Sequence, residues 1–209
     1  MPRHHSIPLD IVRNHQIARL RNGSALIDTG SPFTIRPPGI VAEQLGEPVR
    51  WLVGNDVLGR DRVLIDWPGK RLVVGGPEIA GETIALEPKM GVFQIAIEGR
   101  HGPALAMLDS GAQLSYAPRD AVADLLPIDS RPDFYPVLGE FEVDVYWLRI
   151  RVGSREIEGE FGVLPELLGG LLSMIGGSGW ILGSDFFRDR AIQLDLGRNR
   201  LVDGTIYVS

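Results

Sequence analysis

Short apolar runs, broken repeatedly by Gly, Pro and Asp, set the rhythm of this chain. Ser24–Ile27 and Leu105–Leu108 are apolar and strand-length, and each ends in Asp-Thr/Ser-Gly. An extended piece and a proline follow, and then a segment whose apolar spacing predicts a helix, over Gly39–Leu45 in one case and Arg119–Leu126 in the other. Two apolar triplets end in glycine, Trp51-Leu52-Val53-Gly54 and Trp180-Ile181-Leu182-Gly183, with a helical turn expected from Asp56 and Asp185. Two strands then close through Trp67-Pro68-Gly69-Lys70 in the first place and Gly197-Arg198-Asn199 in the second. Phe141–Val152 alternates for much of its length, and Gly153-Ser154 predicts a tight hairpin turn into Arg155–Leu164.

These segments are a repeat. Gly23–Leu45 slides by 81 onto Ala104–Leu126, matching Ala25/Ala106, Asp28/Asp109, Gly30/Gly111, Pro37/Pro118, Val41/Val122, Ala42/Ala123 and Leu45/Leu126. Gly54–Gly75 slides by 129 onto Gly183–Gly204, matching Gly54/Gly183, Asp56/Asp185, Asp66/Asp195, Arg71/Arg200, Leu72/Leu201, Val73/Val202 and Gly75/Gly204. The offsets differ by 48, so the second copy carries that many extra residues between its blocks. The two blocks keep one order, and their identities fall on Gly, Asp and core-type positions, which argues for duplication.

Composition narrows the picture. The 209 residues allow one large domain or two small ones, and 44% hydrophobic content supports a packed core. Gly 26 and Pro 15 fit a β-rich chain with many turns. A net charge of −6 without a Lys/Arg block argues against nucleic acid or an anionic membrane as partner. With no cysteine, disulfides, thiolate nucleophiles and Cys-bound zinc are excluded. The start has no apolar leader-like run and no stretch is long and apolar enough to span a bilayer, so a cytoplasmic chain is expected. His4, His5, His15 and His101 show no ligand spacing, and neither metal nor cofactor is expected; His4-His5 reads as a disordered tail.

Asp28-Thr29-Gly30-Ser31, Asp109-Ser110-Gly111-Ala112 and the two apolar-apolar-Gly segments together resemble the pepsin and retropepsin superfamily of aspartic peptidases. The resemblance implies a mainly β fold of two pseudo-symmetric retropepsin-like (acid protease) lobes with short helices. Residues 1–78 would be a shortened N-terminal lobe and residues 79–209 a full-length C-terminal one. It implies Asp28 and Asp109 as the catalytic pair, supported by Thr29, Gly30, Ser31, Ser110, Gly111 and Ala112, with the Thr29 and Ser110 hydroxyls cross-linking the loops. The chemistry asks for such a pair independently. Two carboxyls sharing a proton let one activate water while the other polarises the scissile carbonyl. A Ser31 hydroxyl bonded to Asp28, with Ala112 unable to do the same for Asp109, predicts an optimum of about pH 5–7.

The chain also departs from that pattern. The stretch from Asp28 to Gly54 is too short for a covering hairpin, whereas the second copy has room for one at Arg131–Val143 with its tip near Leu138-Gly139-Glu140. Tyr135, Leu138, Gly139 and Phe141 are the expected substrate contacts. Asp56, Asp66, Asp185 and Asp195 read as turn and helix-start residues, Trp51 and Trp180 as core. Arg60-Asp61-Arg62 and Arg188-Asp189-Arg190 read as solvated charge clusters, and Pro165–Gly179 as a surface loop or a cover for the short lobe. The expected function is a monomeric endopeptidase acting on peptide or unfolded protein. The alternatives are a weak or inactive peptide-binding module of the same fold and a homodimer pairing C-terminal lobes.

Overall fold

The computed structural model describes residues 4–135, 139–166, 168–170 and 179–204. The chain is mainly β, and the described residues form sixteen strands in one continuous sheet. It opens with a meander of β1 (His5–Val12), β2 (His15–Leu20) and β3 (Gly23–Ile27). The first turn is made by Arg13 and Asn14 at φ of 47° and 66°, a left-handed pair that matches the twist of the flanking strands. His5 is therefore strand, paired with Val74, and not a disordered tail. The alternation of Ile7, Leu9 and Ile11 explains why, since Leu9 is 1% exposed.

After β3 come α1 (Gly39–Leu45), β4 (Trp51–Val53), α2 (Asn55–Leu58), β5 (Val63–Asp66) and β6 (Arg71–Val74). A second meander, β7 (Gly81–Lys89), β8 (Val92–Gly99) and β9 (Gly102–Leu108), leads to β10 (Ser115–Tyr116). A 3₁₀ turn at Arg119–Val122 follows, where a helix to Leu126 was expected. Pro127 pushes Leu126 out of helical geometry, and that leucine ends fully outside the core. Then come β11 (Asp129–Tyr135), β12 (Gly139–Val152), β13 (Arg155–Val163), β14 (Trp180–Leu182), β15 (Ala191–Asp195) and β16 (Arg200–Gly204). Val152 pairs with Arg155 across the expected Gly153-Ser154 turn.

The spatial order runs β11-β12-β13-β10-β14-β9-β8-β7-β16-β15-β5-β6-β1-β2-β3-β4. Within it β5 and β15 are antiparallel, with Val63 opposite Leu194, Leu64 opposite Gln193 and Ile65 opposite Ile192. Parallel pairs lie outward on both sides: Ala25 with Trp51 in β3–β4, and Ala106 with Trp180 in β9–β14. The core gathers under these strands around Ile65, Ile95, Leu108, Phe187, Ile192, Leu194 and Leu201. Each such side chain contributes about 1.5–3 kcal/mol when fully buried. Trp180 belongs to this core, edge-on to Phe161 at 5.8 Å, whereas Trp51 is only half buried.

Asp66, Asp56, Asp185 and Asp195 hold turns and helix starts. Asp66 receives Gly69 N–H at 2.8 Å and Arg71 Nε at 2.6 Å, and Asp56 receives the Thr34 N–H and hydroxyl, both at 2.7 Å. Arg190 departs from the solvated reading. It is buried, bonded to Asp203, and lies over the Phe186 ring at 4.3 Å. Among the described residues no helix is long and apolar enough to cross a membrane.

Candidate active site

Two strands deliver two carboxyls to one point. β3 ends at Ile27 and β9 at Leu108, so Asp28 and Asp109 each begin a loop at a strand terminus. Asp28 N–H donates to the Val53 carbonyl at 3.0 Å, and Asp109 N–H to the Leu182 carbonyl at 2.9 Å. Each apolar-apolar-Gly segment thus extends its strand pair through the aspartate itself. Behind the loops, Asn55 N–H donates to Ser31 O at 2.9 Å, and Ser184 N–H to Ala112 O at 2.7 Å.

The loops are tied to each other by their hydroxyls. Thr29 N–H donates to the Ser110 hydroxyl oxygen at 3.1 Å, and Ser110 N–H donates to the Thr29 hydroxyl oxygen at 3.0 Å. The Ser110 hydroxyl passes its own proton to the Ile27 carbonyl at 2.7 Å. Thr29 and Ser110 are fully buried, so these bonds are sheltered from water. Gly30 and Gly111 are required by proximity. A Cβ on Gly30 would sit 2.2 Å from the Asp109 carboxyl carbon, and one on Gly111 would sit 2.5 Å from that of Asp28. Only a hydrogen in place of a side chain lets each carboxyl lie against the opposite loop.

Each carboxyl thus sits beside the other loop's glycine, close enough for the two aspartates to couple. Inward bonds steady them: Gly30 N–H reaches Asp28 at 2.9 Å, and Gly111 and Ala112 N–H groups reach Asp109 at 3.0 and 3.1 Å. Burial drives the Asp28 carboxyl well above the ordinary carboxylate range, helped by the neighbouring Asp109 charge. Burial also raises Asp109, but Asp28 and the Gly111 and Ala112 N–H groups pull against it. Both carboxyls are therefore raised, and they titrate as one coupled pair. Ser31 does not do what was expected of it. Its hydroxyl donates to the Phe33 carbonyl at 2.9 Å, and only its backbone N–H serves Asp28.

A cleft of about 790 Å³ opens above the pair. One wall comes from the β11–β12 hairpin, whose register sets Asp133 opposite Phe141 and Tyr135 opposite Gly139. Glu140, read from the sequence as part of the tip, is strand and pairs with Phe134. Leu138 lies outside the described residues. Gly139, at φ of 87°, pairs with Tyr135 where the turn ends, and is not part of the cleft wall. Tyr135 and Phe141 line the cleft. The Tyr135 phenol is pushed up by burial and then by the Asp109 and Asp28 charges.

The opposite wall was not anticipated. It includes Arg13 and His15 from the β1–β2 turn, Val41, Gln44 and Leu45 from α1, and Met90 from the β7–β8 turn. Gln44 Nε2 donates to Glu140 at 2.8 Å, joining α1 to the hairpin across the cleft mouth. The His15 ring bonds the Arg13 carbonyl at 2.9 Å and is in reach of Gly111, while burial holds it below its ordinary range. Arg13-Asn14 between two alternating runs was the available hairpin signal. No local signal aims that turn at the cleft.

No family model matches the chain, and no curated protein matches it. Among solved structures, the solution structure of simian foamy virus (mac) protease matches at 23% identity, over 45% of this chain and 90% of that one, with a TM-score of 0.35. A likeness of that size assigns no activity.

Proposed function

We propose that this chain is an aspartic endopeptidase of two pseudo-symmetric retropepsin-like lobes, residues 1–78 and 79–209, that hydrolyses peptide bonds in peptides or unfolded proteins. The observation that carries the reading is the placement of the Asp28 and Asp109 carboxyls at a cleft floor, each against the glycine of the opposite loop. The two-lobe reading is supported by strand pairs that repeat at the sequence offsets, Ala25–Trp51 and Ala106–Trp180, about the β5–β15 pairing.

In this reading the Asp109 carboxylate takes a proton from water as the water attacks the scissile carbonyl. The Asp28 carboxyl donates to that carbonyl oxygen and stabilises the charge of the tetrahedral intermediate. The proton now on Asp109 passes to the leaving nitrogen, and the C–N bond breaks. Substrate lies extended in the cleft beneath Tyr135 and Phe141, adding strand-like bonds. The β11–β12 hairpin serves as the one covering flap, since residues 28–54 form α1 and β4 and no hairpin. Both aspartates come from one chain, which supports a monomer rather than a dimer of C-terminal lobes. No resident metal or cofactor enters the reaction, and a cytoplasmic setting remains part of the proposal.

Profiling cleavage of a mixed peptide library across pH 3–8, with Asp28→Asn and Asp109→Asn alongside, tests the assignment. Sequence-specific cuts by the parent chain and silence from each variant are expected. Equal cutting by parent and variants would overturn it. The optimum is expected at about pH 5–7, because desolvation raises both carboxyls. The rising limb reports the first ionisation of the coupled pair and the falling limb the second. A rate maximum below about pH 3.5 would contradict that cause.

The bond between Gln44 and Glu140 favours a second reading, a peptide-binding module whose hairpin is latched to α1. Gln44→Ala discriminates. For an enzyme gated by the latch, kcat/KM rises about two- to fivefold, in proportion to one exposed hydrogen bond. For a module without turnover, peptide affinity changes and cleavage stays absent.

A further inference from the structure

The two halves of the chain differ most at one strand edge beside the cleft. In the second half β10 has neighbours on both sides. Tyr116 is antiparallel to Ile181 and parallel to Gly162, and Ala117 N–H donates to the Gly162 carbonyl at 2.9 Å. The corresponding segment of the first half, residues 34–36, has only the inner neighbour. Ile35 and Leu52 exchange backbone bonds at 2.9 Å in each direction, the counterpart of Tyr116 with Ile181. On the outer side, where β13 would lie, the Thr34 carbonyl and the Arg36 N–H meet no partner among the described residues.

Side-chain exposure follows the missing strand. Leu114 and Tyr116 are 8% and 5% exposed, while Phe33 and Ile35 at the equivalent positions are 67% and 46% exposed. Ala121 is buried and its counterpart Ile40 is exposed. An open edge carrying large apolar side chains is a template for another strand. Its charge says which kind. Arg36 and Arg50 both lie over the Trp51 ring, at 5.4 and 5.9 Å, and neither makes an ion pair with a described residue. In the second half the register sets Phe161 and Gly162 against Ser115 and Tyr116, the counterparts of Thr34 and Ile35, so a strand added in the same sense meets Arg36 and Arg50 with the residues that follow such a pair.

We propose that the edge at residues 34–36 docks one extended acidic segment of another polypeptide, added in parallel as an extra strand. Its backbone takes the Arg36 N–H and the Thr34 carbonyl, an apolar side chain packs on Phe33 and Ile35, and its carboxylates face Arg36 and Arg50. This surface is separate from the cleft chemistry and rests on the correspondence between the halves, not on turnover.

A labelled peptide of residues 161–164 followed by three glutamates is the probe, titrated by fluorescence anisotropy against the full chain carrying Asp109→Asn, which prevents its cleavage. Saturable binding is expected, weakened about tenfold by Arg36→Pro, which deletes the free N–H. Phe33→Ser, at an exposed position, provides a second variant and should weaken binding about fivefold. A peptide with lysines at the three glutamate positions should bind about fivefold more weakly at low salt. Absence of saturable binding overturns the proposal, as does binding that neither Arg36→Pro nor Phe33→Ser changes. Sedimentation showing a dimer that Arg36→Pro dissolves would give the edge to a second copy, and overturns it equally.

Discussion

Asp109→Asn is expected to lower kcat by about 10³-fold or more while leaving peptide affinity within a few fold. The amide cannot take the water's proton, and no other described base lies against Asp28. Asp28→Asn is expected to cost as much in rate, because its proton polarises the carbonyl. Their effects on stability differ by sign and by pH. Asp28 titrates above its unfolded value, so the folded chain binds more protons between those values and loses stability as pH rises through that window. Asp28→Asn removes that penalty, so it should stabilise the chain at pH 7 and change little below pH 4, near the unfolded carboxyl value. Denaturant titrations at both pH values check this. Equal shifts at the two pH values would contradict the raised titration of Asp28.

Arg190→Met is expected to destabilise the chain by about 3 kcal/mol, the cost of leaving a buried carboxylate with a missing partner. Asp203 is 5% exposed, and its Oδ2 receives both Arg190 and Arg155 while its Oδ1 has no described partner. Arg190 also closes the Phe186 carbonyl at 2.9 Å. Arg155, 45% exposed at 3.2 Å, is a weaker support, and Arg155→Met should cost less than about 1 kcal/mol. Pairing Arg190→Met with Asp203→Leu should recover much of the loss, since the buried charge is then gone. Urea midpoints at constant m-value measure all three. A loss for Arg190→Met no larger than for Arg155→Met would show that Asp203 is solvated.

Much of the site's skeleton was legible because its residues are dictated by backbone contacts. Gly30 and Gly111 have no room for a Cβ, and Asp28 and Asp109 begin loops at corresponding strand ends, so the same letters stand at both places. The offsets of 81 and 129 read from the sequence reappear in the pairings of Ala25 with Trp51 and Ala106 with Trp180. The β1–β2 and β7–β8 meanders correspond just as closely in space, Ala18 opposite Ala25 and Ile95 opposite Ala106. Their letters hardly agree, because a strand asks only for apolar alternation. The direction of the Ser31 hydroxyl was illegible for a different reason: a turn carbonyl at Phe33 competes for it. Arg190 looked solvated because a charge cluster does not announce a buried Asp203 thirteen residues later.

The central position of β15 and β16 has a consequence for biosynthesis. These strands come last among the described elements, yet they lie between β5 and β7, at the seam of the sheet. A nascent chain already bearing both aspartates lacks that suture until residues 191–204 have left the ribosome. In the proposed peptidase, a nascent product cut short before residue 191 lacks the strands that join the two aspartate-bearing halves and should hydrolyse nothing.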